Sequence, residues 1–128
     1  MTYKTIIIDD SSVQRLATTF LVKNHPKLEF VGAYADPYEG IQAVYEKRVD
    51  ILLLDVLIDN VTAFELLDSI EIPSTILINS TWEKYASIAS SYGIKDFLIK
   101  PIPKKEFDNK IDQITTRLVK LQAYYEIP

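Results

Sequence analysis

Short apolar runs alternate along this chain with segments of helical period, and that alternation leaves few folds open. The runs are Thr5–Ile8, Leu28–Tyr34, Ile51–Leu54, Thr75–Asn79 and Lys95–Ile99. Strands that are apolar at successive positions are buried on both faces, as in parallel sheets covered by helices. The segments between the runs carry the helices. Ser12–Asn24 places Val13, Leu16, Ala17, Phe20 and Leu21 at i, i+3, i+4, i+7 and i+8, a stripe expected to face the sheet. Ser11 or Ser12 can cap that helix. Pro37–Arg48 has proline in its first turn and Ile41, Val44 and Tyr45 expected inward. Ala63–Ile70 reads as a short helix. Glu83–Tyr92 puts Tyr85, Ile88, Ala89 and Tyr92 on one face and ends at Gly93, a C-terminal cap. A last helix from Pro103 to about Gln122 aligns Phe107, Ile111, Ile114, Leu118 and Leu121. Five β/α units with right-handed crossovers predict an α/β fold, a doubly wound five-stranded parallel sheet with five helices.

Composition narrows the chemistry. At 128 residues, 48% of them hydrophobic, the chain makes one domain with a genuine core. No run of eighteen apolar residues predicts a membrane span, and no signal peptide is visible at the start. The absence of cysteine excludes disulfides and thiolate metal sites and fits a cytoplasmic location. A single histidine excludes a histidine-rich metal site; it precedes Pro26, and His25 reads as a capping or surface residue. A net charge of −4 argues against binding nucleic acid.

In a doubly wound fold the working crevice lies at the carboxyl ends of the strands. There the first strand delivers Asp9 and Asp10, the third Asp55, the fourth Asn79, Ser80 and Thr81, and the fifth Lys100. Adjacent aspartates at the rim of an apolar core repel, and each favours its neutral form unless a cation lies between them. Three carboxylates without histidine or cysteine make a hard oxygen cluster suited to Mg2+. A lysine and a hydroxyl facing it complete an anion site, the outline of phosphoryl transfer to a carboxylate.

With these residues in place, the chain resembles the response-regulator receiver domains of two-component signalling. The matching pieces are IIIDDSS, ILLLDV, the Ser80 position and DFLIKPI. The resemblance runs from about Tyr3 to Gln122, so residues 1–122 are expected to be the receiver and 123–128 a tail or the start of a linker. It implies a flavodoxin-like strand order of 2-1-3-4-5. It also implies that Asp55 is the phosphoacceptor, that Asp10 binds Mg2+ directly and Asp9 through water, and that the backbone carbonyl of Leu57 completes the metal shell. Lys100 would pair with the phosphoryl oxygens, and the Lys100–Pro101 bond would be cis. Ser80 would be the switch hydroxyl, with Thr81 as the alternative register, and Phe97 the aromatic switch. The phosphoryl group would come from a histidine kinase or a histidine phosphotransfer protein. An output domain or a second copy would meet the face of the fourth helix, fifth strand and fifth helix. The stretches YADPYEGIQAV and STWEKYASIASSYGIKDFLIKPI, with the short spacing from Ser80 to Lys100, are most similar to receivers that precede a LytTR-type DNA-binding domain. A stand-alone receiver working through protein contacts, or as a phosphorelay intermediate, is the alternative.

Three departures bear on function. In the stretch DVLIDNVTAF, Asp59 stands where the family often has proline, and Ala63 where glycine is usual, so the loop geometry is open and Asp59 adds negative charge. Thr81 follows Ser80 where a small residue is common. In the family, the side chains two places after the phosphoacceptor and two after the switch flank the path of the hydrolytic water. Here these are Leu57 and Trp82, and neither can act as a base, which predicts slow autodephosphorylation. A phosphatase with an aspartate nucleophile would need an acid where Leu57, Ser11 or Ser12 stands. A flavin-binding module would need a Ser/Thr/Gly-rich loop where the two aspartates would repel phosphate.

Overall fold

A computed structural model describes residues 1–58 and 60–126. The elements run β1 (Tyr3–Ile8), α1 (Ser12–Lys23), β2 (Leu28–Tyr34), α2 (Pro37–Lys47), β3 (Ile51–Asp55), β4 (Leu57–Ile58), β5 (Val61–Thr62), α3 (Ala63–Ser69), β6 (Thr75–Ser80), α4 (Tyr85–Ser91), β7 (Asp96–Ile99) and α5 (Lys104–Glu126). The main sheet is wholly parallel, in the order β2-β1-β3-β6-β7. Since β4 and β5 form a separate antiparallel pair, this is the expected order 2-1-3-4-5 of the five main strands. The small hairpin fills the loop after Asp55; Asp59 lies outside the described residues, as do residues 127 and 128.

Two cores form because successive strand residues point to opposite faces. Ile6, Ile8, Leu52, Leu54 and Ile78 meet Ile41 and Val44 of α2, Phe64 and Leu66 of α3, and Ala89 of α4. Ile7, Ile51, Leu53, Leu77 and Leu98 meet Val22 of α1 and Phe107, Ile111 and Ile114 of α5. Each buried Ile or Leu side chain contributes about 1.5–3 kcal/mol of transfer free energy, so both helical layers are needed. α2 lies so close to β1 that a Cβ on Gly40 would stand 2.6 Å from the Ile8 side chain. Gly93, at φ +76°, takes the left-handed turn that ends α4.

Several helical faces differ from expectation. α1 is turned so that Thr18 and Val22 face the sheet, while Val13 (77% exposed), Leu16 (72%) and Phe20 (64%) point outward. Spacing defines which residues share a face; it does not say which way that face points. Here Thr18 and Val22 are the buried residues, and only Leu21 of the apolar stripe packs inward. Tyr45 is half exposed because its hydroxyl donates to the Glu71 carbonyl at the surface. In α4, Ala89 is buried, whereas Ile88 and the C-cap Tyr92 are about two-fifths exposed; Tyr92 stacks on Phe64 and donates to Asp68 Oδ1 at 2.7 Å. Leu121 is exposed as well, because α5 continues past the body through Glu126. His25 is buried: its Nδ1 accepts from the Lys27 backbone N–H at 3.1 Å, and its ring meets the edge of Phe107. Among the described residues no helix is long and apolar enough to cross a membrane.

Candidate functional site

The register of the central strands assembles the site. Ile8 lies opposite Leu54 and Asp55 opposite Asn79, so β1, β3 and β6 end at one level. Asp9 follows directly on β1 and is 1% exposed. Both its carboxylate oxygens are engaged: Oδ1 accepts from the Ser11 backbone N–H at 2.9 Å, and Oδ2 from Lys100 Nζ at 2.5 Å. Ser11 is also the N-cap of α1, its Oγ accepting from the Gln14 N–H at 3.3 Å. The same turn therefore holds Asp9 and starts the helix. Asp10 is exposed at the rim.

Asp55 ends β3 with its side chain mostly buried. Burial pushes its carboxyl up to about 6 from the ordinary 3.8. The Lys100 ammonium, 3.1 Å from Oδ1, works against that rise, and the charges of Asp9 and Asp10 add to it. One carboxylate oxygen from each of Asp9, Asp10 and Asp55 lies within 4.8 Å of the others. Three converging anionic oxygens fit a small hard cation, and Mg2+ suits a site with few carboxylates and room for water.

Lys100 is 7% exposed and stands after β7, its backbone N–H donating to the Ser80 carbonyl at 2.8 Å. The Lys100–Pro101 bond is cis, as the resemblance implied. Nζ reaches three oxygens: Asp9 Oδ2, Gln14 Oε1 at 2.6 Å and Asp55 Oδ1. Sequence reasoning missed Gln14. The available signal was its position three residues after the Ser11 cap, which turns it back toward the strand ends.

Ser80 ends β6, buried, with its Oγ accepting from the Trp82 backbone N–H at 3.0 Å. Thr81 is exposed and lines a groove of about 250 Å3 between α1 and the cis-proline turn, together with Val13, Gln14, Ala17, Lys100 and Ile102. Phe97 sits half-buried on β7 against the core that α2, α3 and α4 cover. Leu57 lies in β4, opposite Thr62, with its side chain exposed. Trp82 is exposed too, and the Lys84 ammonium stands 5.4 Å from its ring centre. The structure thus brings Asp9, Asp10, Asp55 and Lys100 together, sets Ser80 on the adjoining strand end, and keeps Phe97 off the rim.

A family model described as the response regulator receiver domain matches residues 5–112. Over 104 residues the chain is 34% identical to a protein-glutamate methylesterase/protein-glutamine glutaminase of Hydrogenovibrio crunogenus, covering 77% of this chain and 28% of that protein. Over 113 residues it is 27% identical to the transcriptional regulatory protein BtsR of Salmonella typhi, covering 87% and 47%. The chain therefore spans about half or less of these curated relatives. Among solved structures it resembles the REC domain of AraT, a response regulator from Geobacillus stearothermophilus (TM-score 0.83, 21% identity, 95% and 99% covered). It also resembles the response regulatory domain of MrkE from Klebsiella pneumoniae (TM-score 0.79, 22% identity, 91% and 98% covered).

Proposed function

This chain belongs to the receiver domains of response regulators, and from that membership we propose that Asp55 accepts a phosphoryl group from a histidine kinase or histidine phosphotransfer protein. The observation that carries the assignment is the Lys100 ammonium held between Asp9 and Asp55 beside a cluster of three carboxylates. A carboxylate oxygen of Asp55 attacks phosphorus as the P–N bond of the donor phosphohistidine breaks. The bonding pair leaves with the imidazole nitrogen, and the product is an acyl phosphate. Asp9, Asp10 and Asp55 would hold Mg2+, with the Leu57 carbonyl as a further ligand. When bound, Mg2+ supplies the positive charge that keeps these carboxylates ionised beside the incoming phosphoryl oxygens. Lys100 stabilises the charge gathering on those oxygens.

Ser80 would then give up its bond from the Trp82 N–H to reach the phosphoryl group, with Phe97 following inward. That biases a population already present rather than building a new fold. The chain acts as a phosphoacceptor switch and not as an enzyme. Val13 lines the groove that leads to Lys100, and Leu16 and Phe20 are exposed on the same helix, which suits them to the apolar surface of the donor. The output meets the face of α4, β7 and α5, as a second copy or as an output domain. A LytTR-type DNA-binding domain is the proposed output, with a stand-alone or phosphorelay role as the second reading, and the cytoplasm is the proposed location.

The test is a titration with Mg2+ and beryllofluoride, a phosphoryl mimic, read by the fluorescence of the single tryptophan, Trp82, and by amide NMR shifts. A saturable, Mg2+-dependent change that vanishes in Asp55→Asn is expected. A wild-type protein silent in both readouts would sink the proposal.

Slow loss of the phosphoryl group follows from the exposed, non-basic Leu57 and Trp82. Replacing Leu57 with asparagine or glutamate offers the water an acceptor and is expected to speed dephosphorylation about tenfold, well below the full contribution of a positioned general base. Phosphate-release kinetics on the phosphorylated variants check this, and rates equal to wild type would refute it.

A further inference from the structure

An ammonium group has three N–H donors. In Lys100 they face three oxygens: Asp9 Oδ2 at 2.5 Å, Gln14 Oε1 at 2.6 Å and Asp55 Oδ1 at 3.1 Å. Two of these acceptors are carboxylates of the reaction site, and the third is a neutral amide on α1. We propose that Gln14 is a positioning residue for the phosphorylation of Asp55, acting through Lys100. The inference rests on the receiver reading.

The geometry supplies the reason. Asp9 and Gln14 each hold one N–H, and the ammonium stands 3.1 Å from Asp55 as an ion pair with one N–H left to give. A phosphoryl oxygen arriving on Asp55 then takes that third N–H, and the other two bonds stay in place. Without the Gln14 oxygen, one proton lacks an acceptor in a nearly sealed site. The ammonium is then free to settle onto Asp9, its shortest contact, and away from Asp55.

Gln14 is itself well placed to hold still. Its backbone N–H is bonded to Ser11 Oγ, and the Ser11 N–H is bonded to Asp9. Asp9, the cap of α1, Gln14 and Lys100 therefore close into a ring of bonds. Gln14 also lines the groove beside Val13 and Ala17, the surface proposed to receive the phosphodonor. A donor seated there touches the residue that aims the lysine. This links docking to the readiness of the site.

The experiment uses Gln14→Met, which keeps length but loses the acceptor, Gln14→Ala as a second acceptor-free variant, and Gln14→Glu, which keeps an acceptor oxygen. Phosphorylation of Asp55 is followed with phosphoramidate at saturating Mg2+, and Mg2+ affinity is measured separately. The Lys100 ammonium is observed by 1H–15N NMR. Gln14→Met and Gln14→Ala are expected to slow phosphorylation about tenfold, the low end for a hydrogen bond to a charged group, with Mg2+ affinity unchanged. In both, the Lys100 ammonium signal should broaden through faster exchange, and Gln14→Glu should restore most of the lost rate. Wild-type rates in both acceptor-free variants, or a Gln14→Glu variant as slow as they are, overturn the inference while leaving Asp55 as acceptor. A wild-type protein that takes up no phosphoryl group overturns the receiver reading, and this inference with it.

Discussion

Replacing Lys100 with methionine is expected to destabilise the metal-free protein by about 3 kcal/mol, the cost of leaving a buried charge without its partner. The side chains of Lys100 and Asp9 are both nearly sealed from solvent, and Nζ lies 2.5 Å from Asp9 and 3.1 Å from Asp55. Methionine fills the space and brings no compensating charge. Two carboxylates then face each other, and among the described residues the Asp9 side chain keeps the Ser11 N–H as a partner. The double variant Asp9→Asn/Lys100→Met should recover most of the loss, since it removes the orphaned charge together with its partner. Urea denaturation of both variants in EDTA checks this. A Lys100→Met protein within about 1 kcal/mol of wild type would mean that the pair behaves as a surface ion pair. The same variant is expected to respond weakly to beryllofluoride even with Mg2+ present.

Asp55→Asn should do the opposite to stability while abolishing phosphorylation. The folded-state value of Asp55 is raised to about 6, against 3.8 for the free side chain. The native protein therefore binds this proton more tightly than the unfolded chain does. The stability that the bound proton contributes is complete below about pH 4 and is lost as pH rises toward and through 6. At pH 7 the metal-free wild type carries an ionised, desolvated Asp55, and asparagine removes that burden. The rise from 3.8 to about 6 corresponds to about 3 kcal/mol at most, and partial exposure reduces it to about 1–2 kcal/mol. Asp55→Asn should therefore be more stable than wild type at pH 7 in EDTA, with the gap closing between pH 6 and 4. Mg2+ should narrow the gap at pH 7 by binding the wild-type native state. A gap that stays constant across that pH range would show that Asp55 is not the group responsible.

Much of the candidate site was legible because of topology. Once the five apolar runs are read as parallel strands, every residue that follows a strand must lie on one edge. Asp9, Asp10, Asp55, Ser80 and Lys100 then converge whatever the details of the helices. Gln14 was not legible in the same way. Its role depends on the rotation of α1 about its own axis and on where a lysine eighty-six positions away places its ammonium. His25 was misjudged for a related reason. Its neighbours along the chain are polar or turn-forming, and only the packing of α5 brings Phe107 and Asp112 to it. The hairpin of Leu57–Ile58 with Val61–Thr62 is too short to leave a periodic signal.

By itself, the sequence determined the parallel sense of the five strands, the two-sided core, and the cluster of carboxylates and lysine at one rim, while the spatial order of the strands came from the family resemblance and the structure. These rest on local patterns: continuous apolar runs, helical periods, and the residue that follows each strand. Only the tertiary structure decided which face of α1 is buried, that Gln14 bonds to Lys100, that His25 is enclosed, and that the Asp55 carboxyl is raised by burial. The reason is that periodicity fixes the angles between residues on one helix and leaves its rotation free. That rotation, like the burial of a charge, is set by what the facing elements can accept.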